Sequence, residues 1–480
     1  MDRDIIIIGG GPGGYVAAIR AAQLGASVTL IERDKIGGTC LNYGCVPTKT
    51  LYRNAEVLRT LSQGEEYGIS IDNYSFDVDK IQARKTKVVK QLVEGIERLL
   101  AANKVEVISG SAEFIDNHTI KITGEDKTTT QLRSKNIIIA TGSRALLPPI
   151  EGIDLEGVYT SKEMLEFSKV PEKIAIIGGG VIGMEFACIF QAMGAEVIVV
   201  EYEKDILPLL DKDLSKRFAA SLKKSKGDGS FCFQNSQHTI KPMAINTGTK
   251  VIEIKKESDK LILVAENKKG ELTLEADAVL VSTGRQAVFQ DLNLGAANIK
   301  YNRSIEVDKN FMTNVQGVYA IGDVNGKTML AHAASHQGIT AVEHIMKIEN
   351  HIDHKLIPNC IFVFPEIAAV GLTEKIAKDN NIAYKSSKFQ FAANAKALAI
   401  GEEEGFVKVI TDMDDIVLGV QIMGAHATEL IHEGALAIKN KMKLEDITNT
   451  IHAHPTLSEA FIEAALNINQ QAIHISPGRF

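Results

Sequence analysis

The stretch DIIIIGGGPGGYVAAIRAAQLGASVTLIE, residues 4–32, recurs as KIAIIGGGVIGMEFACIFQAMGAEVIVVE at 173–201, every position moved on by 169. Each copy opens with an unbroken apolar run, which suits a parallel strand covered on both faces. A glycine turn follows, then a helical pattern that stops near Gly25 or Gly194, then a second apolar strand closing on Glu32 or Glu201. Gly9, Gly11 and Gly14 form G-x-G-x-x-G in the first copy, and Gly178, Gly180 and Gly183 form it in the second. The first glycine allows a tight turn, the second lets backbone approach a diphosphate, and the third lets helix and strand pack closely. Free N–H groups and the helix dipole then favour the anion. A lone glycine motif is weak. Strand, helix and terminal acid together, twice, predict two dinucleotide-binding βαβ units.

Glu32, 21 residues after Gly11, can accept from ribose hydroxyls. Glu201 can do the same in the second unit and repels a 2′-phosphate, and the YEK that follows holds no arginine cluster. NAD is therefore expected there rather than NADP. Two units imply two nucleotides, and the expected pair is a tightly held FAD and an exchanging nicotinamide.

With 480 residues and 52.1 kDa the chain is sized for about three domains. A formal net charge of −7 and a pI near 6.0 argue against nucleic acid or anionic membrane as partner. No apolar run reaches the ~18 residues of a membrane span. The opening MDRDIIIIGGG reads as a buried strand rather than a signal peptide, and five scattered cysteines do not make a secreted disulfide scaffold. A cytoplasmic location is expected. The fold class is α/β: a first nucleotide unit over 1–145, the second over 146–278, a further segment over 279–350, and an α+β domain over 353–480. A long helix then a strand are expected within SFDVDKIQARKTKVVKQLVEGIERLLAANKVEVISG. The polar stretch 225–248 reads as a surface excursion of the second unit.

GGTCLNYGCVPTK, residues 37–49, places Cys40 and Cys45 just after the first unit. Residues five apart on a regular helix do not face each other, but Gly44 permits a turn and hence a local disulfide. Unpaired thiols, half a zinc site and a structural disulfide are the alternatives. Zinc lacks a second cysteine pair, since Cys188, Cys232 and Cys360 are isolated, and no metal is expected. A structural bridge over so short a loop stabilises little and suits a reducing compartment badly. A reversible disulfide beside a flavin fits the setting, with Lys49 within one turn to stabilise negative charge. In HAHPTLSE (452–459), His454 could serve as a base near neutrality and Glu459 could orient it. Thr456-x-x-Glu459 after Pro455 equally matches a helix start with a capping box, so on the residues alone both readings stand.

These segments resemble the pyridine nucleotide–disulfide oxidoreductases over essentially the whole chain. GGTCLNYGCVPTK is similar to that family's redox-active disulfide, and ATGS (140–143), TNVQGVYAIGD (313–323) and MLAH (329–332) to its flavin contacts. HAHPTLSE is similar to its acid–base segment in the form associated with lipoamide. The resemblance implies a flavoenzyme that oxidises protein-bound dihydrolipoyl groups and passes electrons through Cys40–Cys45 and FAD to NAD. It implies that Cys40 exchanges with substrate, that Cys45 faces the flavin, and that His454 and Glu459 are the base and its partner. FAD would be held by Gly9, Gly11, Gly14, Glu32, Lys49, Ala112, Thr141, Gly142, Ser143, Asp323, Met329, Leu330, Ala331 and His332, with Asp323 on the ribityl chain. NAD would be held by Gly178, Gly180, Gly183, Glu185, Glu201, Val251 and Gly284, with Glu185 also pairing Lys49.

The same resemblance makes residues 353–480 a dimerisation domain, 1–145 with 279–350 the FAD-binding part and 146–278 the NAD-binding part. It implies a homodimer serving lipoyl-bearing carrier domains of a 2-oxo acid dehydrogenase or glycine cleavage complex. The chain departs from the family pattern at Tyr43, where a smaller apolar residue is usual, at Thr48, and at GRQA (284–287), which lacks the common Arg-Pro. A glutathione-type or mercuric-ion reductase is the alternative within the family. Glu201 and Leu457 stand against the first, and the ending HISPGRF, without a cysteine pair, stands against the second.

Overall fold

The first copy of the repeat folds as strand β1 (Arg3–Ile8), helix α1 (Pro12–Gln23) and strand β2 (Val28–Glu32). The computed structural model describes residues 2–70, 75–223, 231–232 and 239–476. β1 lies parallel between β2 and the end of strand Thr129–Ile139, with Ile5 opposite Val28 on one side and Asn136 on the other. The unbroken isoleucine run has a simple cause. Ile5 and Ile7 enter one core with α1, while Ile6 and Ile8 enter a second core on the opposite face of the sheet. Strand β3 (Glu106–Ser109) extends the sheet beyond β2, and Val318–Ala320 extends it beyond Thr129–Ile139, all parallel. The chain therefore leaves this unit and returns to it. The expected long helix is α4 (Val78–Ala102), started by Asp77, whose side chain accepts from the Lys80 N–H.

The second copy repeats the pattern as strand Lys173–Ile177, helix Val181–Ala192 and strand Glu196–Val200. Its parallel sheet runs Ala244–Asn246, Glu196–Val200, Lys173–Ile177, Ala278–Val281 and Val158–Thr160. The end of the 225–248 stretch is thus an edge strand of this sheet and not an irregular excursion. Of the rest, Phe231–Cys232 pairs antiparallel with Thr239–Ile240, and residues 224–230 and 233–238 lie outside the described residues. The C-terminal part is a five-stranded antiparallel sheet, from Asn359–Ile361 at one edge to Lys385–Gln390 at the other.

One core joins all three parts. Helix α3 (Cys45–Ser62) buries Leu51, Tyr52, Ala55 and Leu58 with Met184, Phe186 and Ile189 of the second unit and with Ile361, Val363 and Ile367 of the C-terminal sheet. A buried polar cluster reinforces the second joint. Asp211 accepts from the Gln421 amide at 2.7 Å, the Glu374 N–H at 3.0 Å and the Lys408 ammonium at 3.3 Å, and Lys408 also meets Asp213 at 2.6 Å. Among the described residues no helix is long and apolar enough to cross a membrane, and no group of three or more His, Cys, Asp or Glu side chains could hold a metal ion.

Gly14 and Gly11 should separate packing from open space. A methyl on Gly14 would lie 1.8 Å from the Gly9 carbonyl oxygen, whereas on Gly11 it meets nothing nearer than Gly38 at 3.9 Å. Gly14→Ala should therefore lower stability by about 1–3 kcal/mol or more, the usual cost of overpacking. Gly11→Ala should leave apoprotein melting nearly unchanged. Thermal denaturation of the two apoproteins checks this, and equal melting temperatures would contradict it.

Candidate active site

Both helices of the repeat begin at a glycine, Gly11 or Gly180, with no side chain capping the first N–H groups. Added methyls at these two positions would occupy open space, so each turn is a cradle that backbone alone lines. Such a cradle with free N–H groups fits a diphosphate. The two closing acids are held alike. Glu32 accepts from the Gly10 N–H at 2.6 Å and the Asp34 N–H at 2.8 Å, and Glu201 accepts from the Gly179 N–H at 2.5 Å and the Glu203 N–H at 2.7 Å. Each oxygen keeps a second lone pair for a ribose hydroxyl.

Cys40 lies in the short helix α2 (Gly38–Tyr43), and Cys45 is the first residue of α3. Gly44 breaks the helix between them, and a methyl there would come within 3.0 Å of the Thr39 carbonyl oxygen. The break turns the i, i+5 pair toward each other, so that the two thiols are hydrogen-bond partners. Their chemistry is unequal. Cys45 is lowered to about 7, chiefly because the Cys40 thiol donates to it, with the Lys49 charge assisting against desolvation. It also sits at the uncapped N-terminus of an 18-residue helix, where negative charge is favoured. Cys40 is pushed well above the ordinary thiol range by donating that bond and by burial. Cys45 is thus the sulfur built to carry charge.

Lys49, one turn further along α3, places its ammonium 2.8 Å from both carboxylate oxygens of Glu185 in helix Val181–Ala192. Glu185 also accepts from the Phe362 N–H at 3.2 Å, and the Lys49 ammonium lies 4.6 Å from the centre of the Phe362 ring. Thr48 donates its hydroxyl to the Gly44 carbonyl at 2.7 Å, closing the first turn. Tyr43 turns outward, with the Lys162 ammonium 4.2 Å and the Lys35 ammonium 5.6 Å from its ring centre.

The remaining flavin candidates gather from three segments. Ala112 is buried in strand Ser111–Phe114, and the Thr141 hydroxyl donates to the Val288 carbonyl at 2.5 Å. Gly142 has φ of +70°, and the Ser143 hydroxyl bonds Asp323 on the turn Gly322–Asn325. Met329 and Leu330 lead into helix Ala331–Ile345, whose start carries no side-chain cap. His332 turns its Nε2 to the Pro358 carbonyl at 2.9 Å, so its side chain serves the fold. In the second unit Val251 is buried in the core with Ile254 and Leu263, leaving only its backbone for a ligand. Gly284 has φ of +136° and starts the return crossing.

His454 and Glu459 meet as the sequence reading required. The ring Nδ1 is 2.8 Å from Glu459 Oε1, which leaves Nε2 free. Glu459 Oε2 accepts from the Thr456 N–H at 2.8 Å, so one oxygen anchors the loop and the other orients the ring. The capping box forms only by that half. The Thr456 hydroxyl donates to the Ala453 carbonyl at 2.7 Å, and the helix starts later, at Glu459. Desolvation opposes the charge on Glu459, but the Thr456 N–H and His454 hold its carboxyl below the usual range. The His454 side chain is 70% exposed in the single chain. Sequence reasoning missed two residues, Phe362 and Arg285. Nothing local marks Phe362, whereas the Gly-Arg step after strand Ala278–Val281 marks Arg285.

Residues 3–227 and 233–338 match the family model for pyridine nucleotide-disulphide oxidoreductases, and residues 357–465 match that family's dimerisation domain. The chain is 41% identical to dihydrolipoyl dehydrogenase of Bacillus subtilis, covering 98% of this chain and 99% of that one. It is 40% identical to mitochondrial dihydrolipoyl dehydrogenase 1 of Arabidopsis thaliana, covering 99% and 92%. Its fold superposes on the crystal structure of LpdA from Mycobacterium tuberculosis with a TM-score of 0.86 at 26% identity, covering 97% and 99%. With two uncapped dinucleotide cradles, an unequal cysteine pair and a terminal dimerisation domain, the chain belongs to the pyridine nucleotide–disulfide oxidoreductase family.

Proposed function

We propose that this chain is a dihydrolipoyl dehydrogenase, which oxidises carrier-bound dihydrolipoyl groups to lipoyl groups and reduces NAD. The observation that carries the reading is the cysteine pair at the α3 N-terminus, with Lys49 and Glu185 behind it, combined with a His454–Glu459 pair in the dimerisation domain. Relatives of that name at about 40% identity over the full chain support it. A bound FAD would relay two electrons from the cysteine pair to NAD.

His454 Nε2 takes the proton from one thiol of the dihydrolipoyl group, while Glu459 holds Nδ1 and supports the imidazolium. The thiolate attacks Cys40 of the Cys40–Cys45 disulfide. That bond breaks as the substrate–Cys40 bond forms, and Cys45 departs as thiolate. Its low pKa makes it the better leaving group, and leaving groups of low pKa leave faster. The second substrate thiol then attacks its own mixed disulfide, closing the lipoyl ring and releasing Cys40, which takes that thiol's proton. The lipoyl group has lost two electrons, and the cysteine pair holds them as the Cys40 thiol and the Cys45 thiolate, with the other proton on His454. In the first unit Glu32 and Asp323 would position FAD, and in the second Glu201 would accept from the NAD ribose.

His454 acts across the subunit interface on this reading. Its side chain is largely exposed, and its only side-chain partner among the described residues is Glu459. The substrates are lipoyl-bearing carrier domains of a 2-oxo acid dehydrogenase or glycine cleavage complex.

The Cys45 thiolate should give two-electron-reduced holoenzyme a long-wavelength band, fading as pH falls through about 7 because the sulfur protonates there. Lys49→Met should move that midpoint upward, since it removes a charge that favours the anion. A midpoint unmoved by the substitution would separate Lys49 from the thiolate.

Glu201→Arg should narrow or reverse the preference for NAD, because the carboxylate that repels a 2′-phosphate is gone. The ratio of kcat/KM for the two nucleotides reads this directly. A wild-type enzyme that favours NADP would point to the glutathione-type alternative.

The shared site is tested by co-expressing a Cys45→Ser chain with a His454→Gln chain and isolating the mixed dimer. His454→Gln alone should lose roughly 10²–10⁴ in turnover, the range for a positioned base. The mixed dimer should recover about half of wild-type dihydrolipoamide oxidation, because one of its two sites is intact. A folded, flavin-loaded mixed dimer that stays inactive would place the histidine in its own chain's site.

A further inference from the structure

Ser143 and Asp323, two of the flavin candidates, are tied together by Arg285, which belongs to none of the nucleotide motifs. The chain crosses from the first nucleotide unit to the second through strand Ser143–Ala145 and returns through strand Arg285–Ala287. The two strands pair antiparallel, with Arg285 opposite Ala145 and Ala287 opposite Ser143. Arg285 thereby reaches back into the first unit. Its Nε donates to the Ser143 hydroxyl at 2.7 Å, and its Nη2 donates to the Ser143 carbonyl at 2.7 Å. The same Nε lies 3.8 Å from Asp323 Oδ2. The Arg285 side chain is 18% exposed.

Hydrogen-bond polarity follows from the donor inventory. Arginine can only donate and an ionised carboxylate can only accept, whereas a serine hydroxyl has one proton and two lone pairs. Because Arg285 donates to the Ser143 oxygen, the single Ser143 proton goes to its other neighbour, Asp323 Oδ2. Asp323 Oδ1 makes no hydrogen bond among the described residues. The carboxylate is also fixed in place, because it follows Gly322, whose φ is +72° and whose N–H donates to Gln337 at 2.8 Å.

We propose that Arg285 is a positioning residue for the flavin: by directing the Ser143 proton onto Asp323 Oδ2, it leaves Oδ1 as a fixed acceptor for a hydroxyl of the ribityl chain. This rests on the reading of the first unit as the FAD site. It also places the control of that acceptor on the strand that returns from the NAD unit, so the fit of the ribityl chain depends on how the two crossing strands are registered. Among the described residues the Arg285 side chain donates only to Ser143. Burial lowers the basicity of its guanidinium, and the nearby charges of Asp323 and Cys45 oppose that change.

The test is FAD affinity, measured by titrating apoprotein with FAD and following the quenching of flavin fluorescence. Arg285→Met should weaken FAD binding roughly ten- to a hundredfold, the effect expected when a charged hydrogen-bond donor is removed. Arg285→Lys should recover only part of the loss, since an ammonium lacks the planar fork that holds two oxygens at once. NAD binding should be unchanged in both. A role through Asp323 has its own signature. The double variant Arg285→Met/Asp323→Asn should bind FAD no more weakly than Asp323→Asn alone, whereas a general structural role would make the two losses multiply. Undiminished FAD affinity in Arg285→Met, or multiplying losses, would overturn the proposal. Should Arg285→Met not fold, Ser143→Ala decides, because it removes the relay hydroxyl with Arg285 in place: a comparable loss supports the proposal and wild-type affinity overturns it. A wild-type apoprotein that binds no FAD would instead overturn the flavin reading itself, and this inference with it.

Discussion

The ion pair between Lys49 and Glu185 is the contact on which the arrangement of the site depends. Lys49 belongs to the helix that carries Cys45, and Glu185 to the helix that begins the second nucleotide unit. The Phe362 N–H and ring, from the C-terminal domain, complete the junction. Three parts of the chain therefore meet at one charge pair. Such a pair adds little to stability over a well-packed apolar contact, yet removing one partner costs about 3–5 kcal/mol where burial is deep. The Lys49 side chain is 30% exposed, so the cost here falls below that range. What the pair fixes is position. With Leu51, Tyr52 and Ala55 packed into the shared core, α3 cannot shift without disturbing all three parts.

That rigidity explains how two cysteines in one short segment come to differ. Gly44 ends one helix and lets another start on the next residue, so Cys45 receives the field of a full helix N-terminus and Cys40 does not. The hydrogen bond between the thiols then amplifies the difference, since donation stabilises one anion and removes the other's readiness to form. Lys49 adds to the same side. Helix position, thiol hydrogen bond and fixed cation all assign the charge to Cys45, and on the proposed reading Cys40 is left as the sulfur for exchange.

The parts of this architecture legible in the sequence are those set by local pattern. A repeat of 29 residues carried two strands, a glycine turn and a helix each, and those periodicities do not depend on distant partners. The Cys40–Cys45 spacing and the His454–Glu459 spacing were legible for the same reason. Long-range pairing was not. Phe362 reaches Glu185 across 177 positions, and Asp211 meets Lys408 across 197. Neither residue is distinguished by its neighbours in the chain. Ala244–Asn246 escaped notice because an edge strand of three residues shows no period. The capping box failed for a different reason: Thr456 had a carbonyl acceptor at Ala453, and a hydroxyl has only one proton to donate.

The C-terminal end of the site is built on the opposite principle from α3. His454 has one nitrogen fixed by Glu459 and the other open, on a loop whose Ile451 is 96% exposed in the single chain. An imidazole oriented on one side alone has its direction set but not its surroundings, and a general base works best where water is excluded. The sequence match to a dimerisation domain spans this loop. On the proposed reading, the cysteine pair is rigid within one chain and the base is completed only by two. Activity then depends on association as well as on folding, and a dilution that separates the subunits would remove the base from the disulfide while leaving both nucleotide units intact.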